Sequence, residues 1–144
     1  MNGRQIYDGE VSEEQLNKLY NAANVNISTT VGEGFGLSLL ESQATGTRSI
    51  APKHSSIPEV LNGTGHLLPN KAVWFPQNDN GFSRPIIDAY ELTKALEWEY
   101  LSWKESGKEK VINQDCLDNV QANFLWEDKR EFLLKIFKEV LSND

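Results

Sequence analysis

The chain has 144 residues, of which 39% are hydrophobic and 24% charged, a composition that fits one globular domain and excludes intrinsic disorder. With 14 Lys and Arg against 21 Asp and Glu the formal net charge is -7, and no basic run stands out, so binding to nucleic acid through its phosphates is not expected. The single cysteine, Cys116, excludes an internal disulfide and a cysteine-built metal site, no apolar run approaches the ~20 residues that span a bilayer, and the opening "MNGRQIYDGE" has no signal-peptide pattern, so a cytoplasmic location is expected.

In chain order, "QIYDG" (5–9) reads as a short strand closed by glycine. "SEEQLNKLYNAA" (12–23) reads as a helix: Ser12 and Gln15 fit a capping box, and Leu16, Leu19, Tyr20 and Ala23 recur on one face. "VNIST" (25–29) has the alternation of a strand, and "LSLLESQAT" (37–45) that of a helix stopped by Gly46. "RSIAP" (48–52) is a strand ended by proline. "SIPEVL" (56–61) opens a short helix with a second predicted capping box, Ser56 and Glu59, and Pro58 in its first turn. "GHLLP" (65–69) is a further strand. Short strands alternating with helices predict βαβ units and a parallel sheet.

The second half differs. Residues 70–87, "NKAVWFPQNDNGFSRPII", hold two prolines, a glycine and several Asn and Asp, and read as an irregular loop. From Asp88 the pattern is helical, with Leu92, Ala95 and Leu96 on one face. A polar break at 104–110 follows, and a last helix near 126–141 carries the apolar stripe Leu133, Ile136, Phe137, Val140 and Leu141. The expected organisation is therefore a single domain over 1–144. Its parts are an α/β region over 1–69, the loop 70–87 and a helical region over 88–144.

The densest feature is "VGEGFGLSLLE", residues 31–41. Gly32, Gly34 and Gly36 fall between a predicted strand end and a helix start, where ligands bind in parallel α/β sheets. Glycines let backbone approach a ligand closely, and the first amides of a helix have no partners within it. A phosphate group held by Gly36, Leu37 and Ser38 is one reading, and a plain strand-to-helix turn is the other. Glu41, one turn into the helix, leans back toward the loop, and Glu33 lies within it. Two carboxylates repel a phosphate and attract hydroxyls, so the pattern suits a ligand with phosphates in its middle and a polyol at each end. A nucleotide sugar has that form. Of the remaining polar residues, Lys53 and His54 read as solvated loop, His66 and Cys116 as structural, and Tyr7 as a weak candidate for a base pocket.

"EGFGLSLLE" resembles the signature of retaining glycosyltransferases of the two-domain GT-B architecture, glycosyltransferase family 4-like, with two glutamates, Glu33 and Glu41, separated by seven residues. "VSEEQLNKLYNAANVNIST" and "ESQATGTRSIAPKHSSIPEVL" are similar to the segments flanking that signature, and "FLWEDKREFLLKIFKEVL" to the family's terminal segment. The likeness implies a partial Rossmann-like α/β domain, the C-terminal, donor-binding part of such an enzyme. It implies Glu33 as the catalytic residue on the donor sugar, and Gly34, Phe35, Gly36, Leu37, Ser38 and Glu41 as donor-binding. Glu41 would hold ribose hydroxyls, and Leu37 and Ser38 the diphosphate through their amides. No metal site and no cofactor are implied; the donor substrate is a nucleoside-diphosphate sugar such as UDP- or GDP-hexose. The family's early donor-domain arginine and lysine have no match, since Arg4, Arg48 and Lys53 do not sit in that motif. The chain is accordingly expected to be inactive alone, to need a missing N-terminal acceptor domain or partner chain, and to self-associate through its last helix. A non-catalytic nucleotide-binding or interaction module keeping the fold is the alternative.

Overall fold

The computed structural model of the chain describes residues 11–77 and 80–142. The predicted strand at 5–9, with Arg4 and Tyr7, lies outside the described residues. The first element is helix α1, Glu13–Ala22, and its N-terminus is the predicted capping box: the Ser12 hydroxyl accepts from the Gln15 amide while the Gln15 side chain accepts from the Ser12 amide. Strand β1, Val25–Ile27, follows, then helix α2, Leu37–Gln43, and strand β2, Arg48–Pro52. Helix α3, Ile57–Leu61, leads to strand β3, His66–Leu68.

The three strands pair in parallel in the order β1-β2-β3, with Ile27 opposite Ile50 and Ile50 opposite His66. This is the expected α/β class, a short parallel sheet flanked by helices. Central β2 is buried on both faces, as parallel strands usually are. Its side chains alternate between two cores. Ala51 packs with Leu39 of α2 and Ile57, Val60 and Leu61 of α3. Ile50 points to the opposite face, with Leu68, Val25 and Ala95. Each large aliphatic side chain buried here contributes about 1.5–3 kcal/mol.

Residues 70–87 depart from the irregular loop expected of them. Asn70–Trp74 (β4) and Arg84–Ile87 (β5) form an antiparallel hairpin, with Trp74 opposite Arg84 and a register shift between Asn70 and Ala72. The prolines that signal a loop are compatible with it, because a two-stranded ribbon consists of edges, where a missing amide is tolerated. Pro85 sits within β5 itself. Helix α4, Ala89–Glu105, is capped by Asp88 and lays Leu92, Ala95 and Leu96 on the second core, as their spacing predicts.

A helix that the sequence pattern leaves unassigned, α5, spans Gln114–Asn123, and α6 spans Trp126–Leu141. The stripe expected on α6 is present and exposed to solvent, with Phe137 and Val140 about 60% accessible. No described helix is long and apolar enough to cross a membrane.

One buried side chain joins three helices. Gln43, at the end of α2, is fully buried and donates to the Val60 carbonyl at 3.1 Å. Its amide oxygen accepts from the Thr64 hydroxyl at 2.7 Å and from Asn119 of α5 at 2.8 Å. Asn119 also donates to the Val60 carbonyl and accepts from Asn62 and Asn123. Every buried polar side-chain atom among the described residues has a partner. Replacing Gln43 by Leu keeps the volume but removes the acceptor shared by Thr64 and Asn119, so that one buried Asn119 N–H loses its partner while Thr64 keeps the Leu61 carbonyl and Asn119 the Val60 carbonyl. We expect Gln43→Leu to lower unfolding free energy by about 2–4 kcal/mol in urea titrations.

Candidate functional site

The loop between β1 and α2 lies at the carboxyl end of the sheet, and its shape follows from its glycines and from two serines of the next loop. Gly36 caps α2 with φ 98° and ψ 48°, in the left-handed region where a side chain is strained. Its carbonyl accepts the amides of Leu39 and Leu40. Ser55 donates to the Glu33 carbonyl and Ser56 to the Phe35 carbonyl at 3.0 Å. The capping box predicted for Ser56 and Glu59 is therefore absent: Ser56 has helical backbone angles, and its hydroxyl reaches across to the glycine loop. The Thr30 hydroxyl donates to the Gly32 carbonyl at 2.8 Å, and an Arg84 guanidinium N–H to the Val31 carbonyl at 3.4 Å.

These contacts leave the loop electrically lopsided. The carbonyls of Val31, Gly32, Glu33, Phe35 and Gly36 all accept hydrogen bonds within the chain. The amides of residues 33–38, in contrast, donate to no described residue. Successive N–H groups that have no partner among the described residues and lead into a helix carry partial positive charge and suit an anion. Gly34 adds to this, since a Cβ built on it would meet nothing within 4 Å and the backbone there is open.

The two glutamates of the motif line two cavities rather than one. Glu33 shares a cavity of about 440 Å³ with Gly32, Gly34, His54, Ser55 and Arg84, closed on one side by the hairpin residues Phe82 and Ser83. Glu41 faces another, of about 310 Å³, between α1 and α2, lined by Glu13, Asn17, Tyr20 and Thr45. The Tyr20 hydroxyl donates to Glu41 Oε2 at 3.0 Å. Burial, then that hydrogen bond, then the Glu41 charge push the Tyr20 hydroxyl up to about 12 from its ordinary 10. Phe35 meets Phe124 edge-to-face, with ring centroids 6.1 Å apart. Leu37 is exposed, and the Ser38 carbonyl accepts from Asn26 at 3.2 Å.

Other conspicuous residues also find their places. Arg48 lies at the opposite, amino end of the sheet. There it pairs with Asp115 at 3.1 Å and covers the Trp98 ring at 5.2 Å, so it plays no part at the glycine loop. His66 is structural as expected, 2.8 Å from Glu99 and edge-on to Trp98. His54, read as solvated loop, instead lines the Glu33 cavity. Sequence reasoning passed over Arg84 and Tyr20. Arg84 lay in a stretch read as irregular, whereas Tyr20 was visible only as one residue of an amphipathic face. Cys116 is fully buried. Among the described residues no three His, Cys, Asp or Glu side chains cluster as metal ligands.

The family model for glycosyl transferases group 1 matches residues 1–110, which span the glycine loop, both glutamates and the hairpin. The chain belongs to that family. A search of curated proteins finds no match to the sequence. Membership of this glycosyltransferase group, of GT-B type, accords with the α/β fold and with a ligand edge at the carboxyl ends of the strands.

Two outcomes follow from the loop geometry. Gly36→Ala places a Cβ at a positive φ and 3.3 Å from Leu39 Cδ1, and should lower stability by about 1–2 kcal/mol in thermal or urea unfolding. Tyr20 is the pH-dependent case. Its folded pKa is raised, so the stability it contributes is whole below pH 10 and is lost as pH rises through about 12. Melting temperatures of the native chain and Tyr20→Phe should therefore differ most below pH 10 and converge above it.

Proposed function

We propose that this chain is the donor-binding part of a retaining glycosyltransferase, which moves a hexose from a nucleoside-diphosphate sugar to an acceptor. The observation that carries the reading is the polarity of the glycine loop within a chain of this family. The carbonyls of Val31, Gly32, Glu33, Phe35 and Gly36 are engaged within the chain, and the amides from Glu33 to Ser38 are turned to no described partner.

In this reading the amides of Leu37 and Ser38 take the diphosphate, and the backbone of Gly34, Phe35 and Gly36 runs beside the sugar and phosphates. Glu33 accepts hydroxyls of the donor sugar in its own cavity. Glu41, steadied by Tyr20, accepts the ribose hydroxyls in the second cavity. The separation of the two carboxylates supports the assignment, because each serves a different polyol while the amides between them meet the charge. Transfer with retention proceeds by attack on the face from which the leaving group departs. The bond from the anomeric carbon to the phosphate oxygen breaks, its electron pair stays on the diphosphate, and that oxygen receives the acceptor's proton as the new bond forms. Stabilising the charge that grows on the diphosphate is the main catalytic contribution asked of the loop. UDP- and GDP-hexoses are the donors proposed, with the acceptor held outside the described residues.

The test is amide NMR of the labelled chain titrated with UDP, GDP and ADP, then with their glucose conjugates. Shifts confined to Gly34, Gly36, Leu37 and Ser38 are expected for at least one base. Glu41→Ala should weaken that binding roughly 10-fold or more, the effect of losing hydrogen bonds to a charged group. No shift with any of the six ligands, at concentrations on the order of millimolar, would sink the reading.

A further inference from the structure

The Glu33 cavity contains a cation that the motif does not announce. Arg84 stands at the start of β5, opposite Trp74, and the hairpin carries its guanidinium onto the glycine loop. The approach is close. A Cβ built on Gly32 would lie 2.0 Å from Arg84 Nη1 and 3.2 Å from Cζ, so the guanidinium occupies the space that any other residue's side chain would need. Gly32 and Arg84 are in this sense one feature, a bare backbone position and the planar group that rests on it.

The surroundings say what the group is for. Among the described residues, the lining of this cavity offers one permanent cation, Arg84, and one carboxylate, Glu33, together with His54 and the hydroxyls of Ser55 and Ser83. A ligand filling such a space has an anionic portion near Arg84 and hydroxyls near Glu33. Arginine suits the first task because its fork meets two oxygens of a phosphate at once. Its N–H bond to the Val31 carbonyl also fixes the direction from which the fork addresses the loop.

Resting on the nucleotide-sugar reading above, we propose that Arg84 is a donor-binding residue that meets the diphosphate from the hairpin side, with Gly32 kept small to admit it. The loop amides then hold the phosphates from one side and Arg84 from another. The β4–β5 hairpin is thereby a working wall of the donor site, and the family motif alone does not complete that site.

Titration calorimetry with UDP, GDP and ADP at several sodium chloride concentrations tests this on the full chain. In Arg84→Gln the diphosphate that binds the native chain should bind roughly 10- to 100-fold more weakly, and with a shallower dependence on salt, because one screened charge is gone. Gly32→Ala retains the charge but displaces the guanidinium, and should weaken binding in the same direction. Adding Gly32→Ala to Arg84→Gln should then cost little more. Unchanged affinity in Arg84→Gln overturns the proposal and leaves the donor-binding reading standing. Weaker binding with an unchanged salt dependence also overturns it, since Arg84 would then act only by holding the hairpin in place. Absence of binding to the native chain overturns both.

Discussion

A single buried amide side chain, that of Gln43, fixes the relation of the helices on one face of the sheet. It lies at the C-terminal end of α2 and holds the Val60 carbonyl, Thr64 and Asn119 at once. An uncharged amide can do this because it both donates and accepts, and because each partner brings the complementary group. A purely apolar contact at that position would let α2 slide or turn with small changes in energy. The directional bonds do not. Since α2 begins at Gly36, its pose sets the direction of the glycine loop, and the site inherits its precision from an interaction at the far end of the helix.

The site itself arises from two loops that leave the carboxyl ends of neighbouring strands. The loop after β2 brings Ser55 and Ser56 beneath the loop after β1, and their hydroxyls occupy carbonyls that would otherwise repel an anion. Proximity of those two loops is a direct product of the parallel pairing of β1 and β2, which places both strand ends on one edge. The fold thus determines the sign of the local field as well as the position of the residues. Catalysis by preorganised dipoles depends on this kind of arrangement, in which donors are aimed before the ligand arrives.

What could be read from the sequence was local. The capping box at Ser12, the strand at 48–52 and the face of α4 follow from spacing within a few residues, and the structure has them where the spacing puts them. The glycines and the two glutamates were conspicuous for the same reason. Contacts between distant residues were not legible. Ser56 looked like a cap because Glu59 stands three residues on, and only the folded chain brings the carbonyl of Phe35, 21 residues away, within its reach. Helix α5 escaped notice because its buried face is formed by Cys116 and Asn119, which give no apolar stripe. The hairpin was hidden by turn-forming residues that serve its connection, and Arg84 with it. The wall of the cavity that lies furthest from the motif in sequence was therefore the one no pattern could supply.

The lone thiol has a consequence of a different kind. Cys116 is fully enclosed beneath Thr64, and burial together with the neighbouring Asp115 pushes its pKa up to about 11. At neutral pH the thiol therefore stays protonated, and unreactive, while the chain is folded. An alkylating reagent meets that sulfur chiefly in molecules where α5 has lifted from α2 and from the turn at Thr64. The rate of its modification is thus a clock for local opening, read at a single atom without any label introduced into the chain.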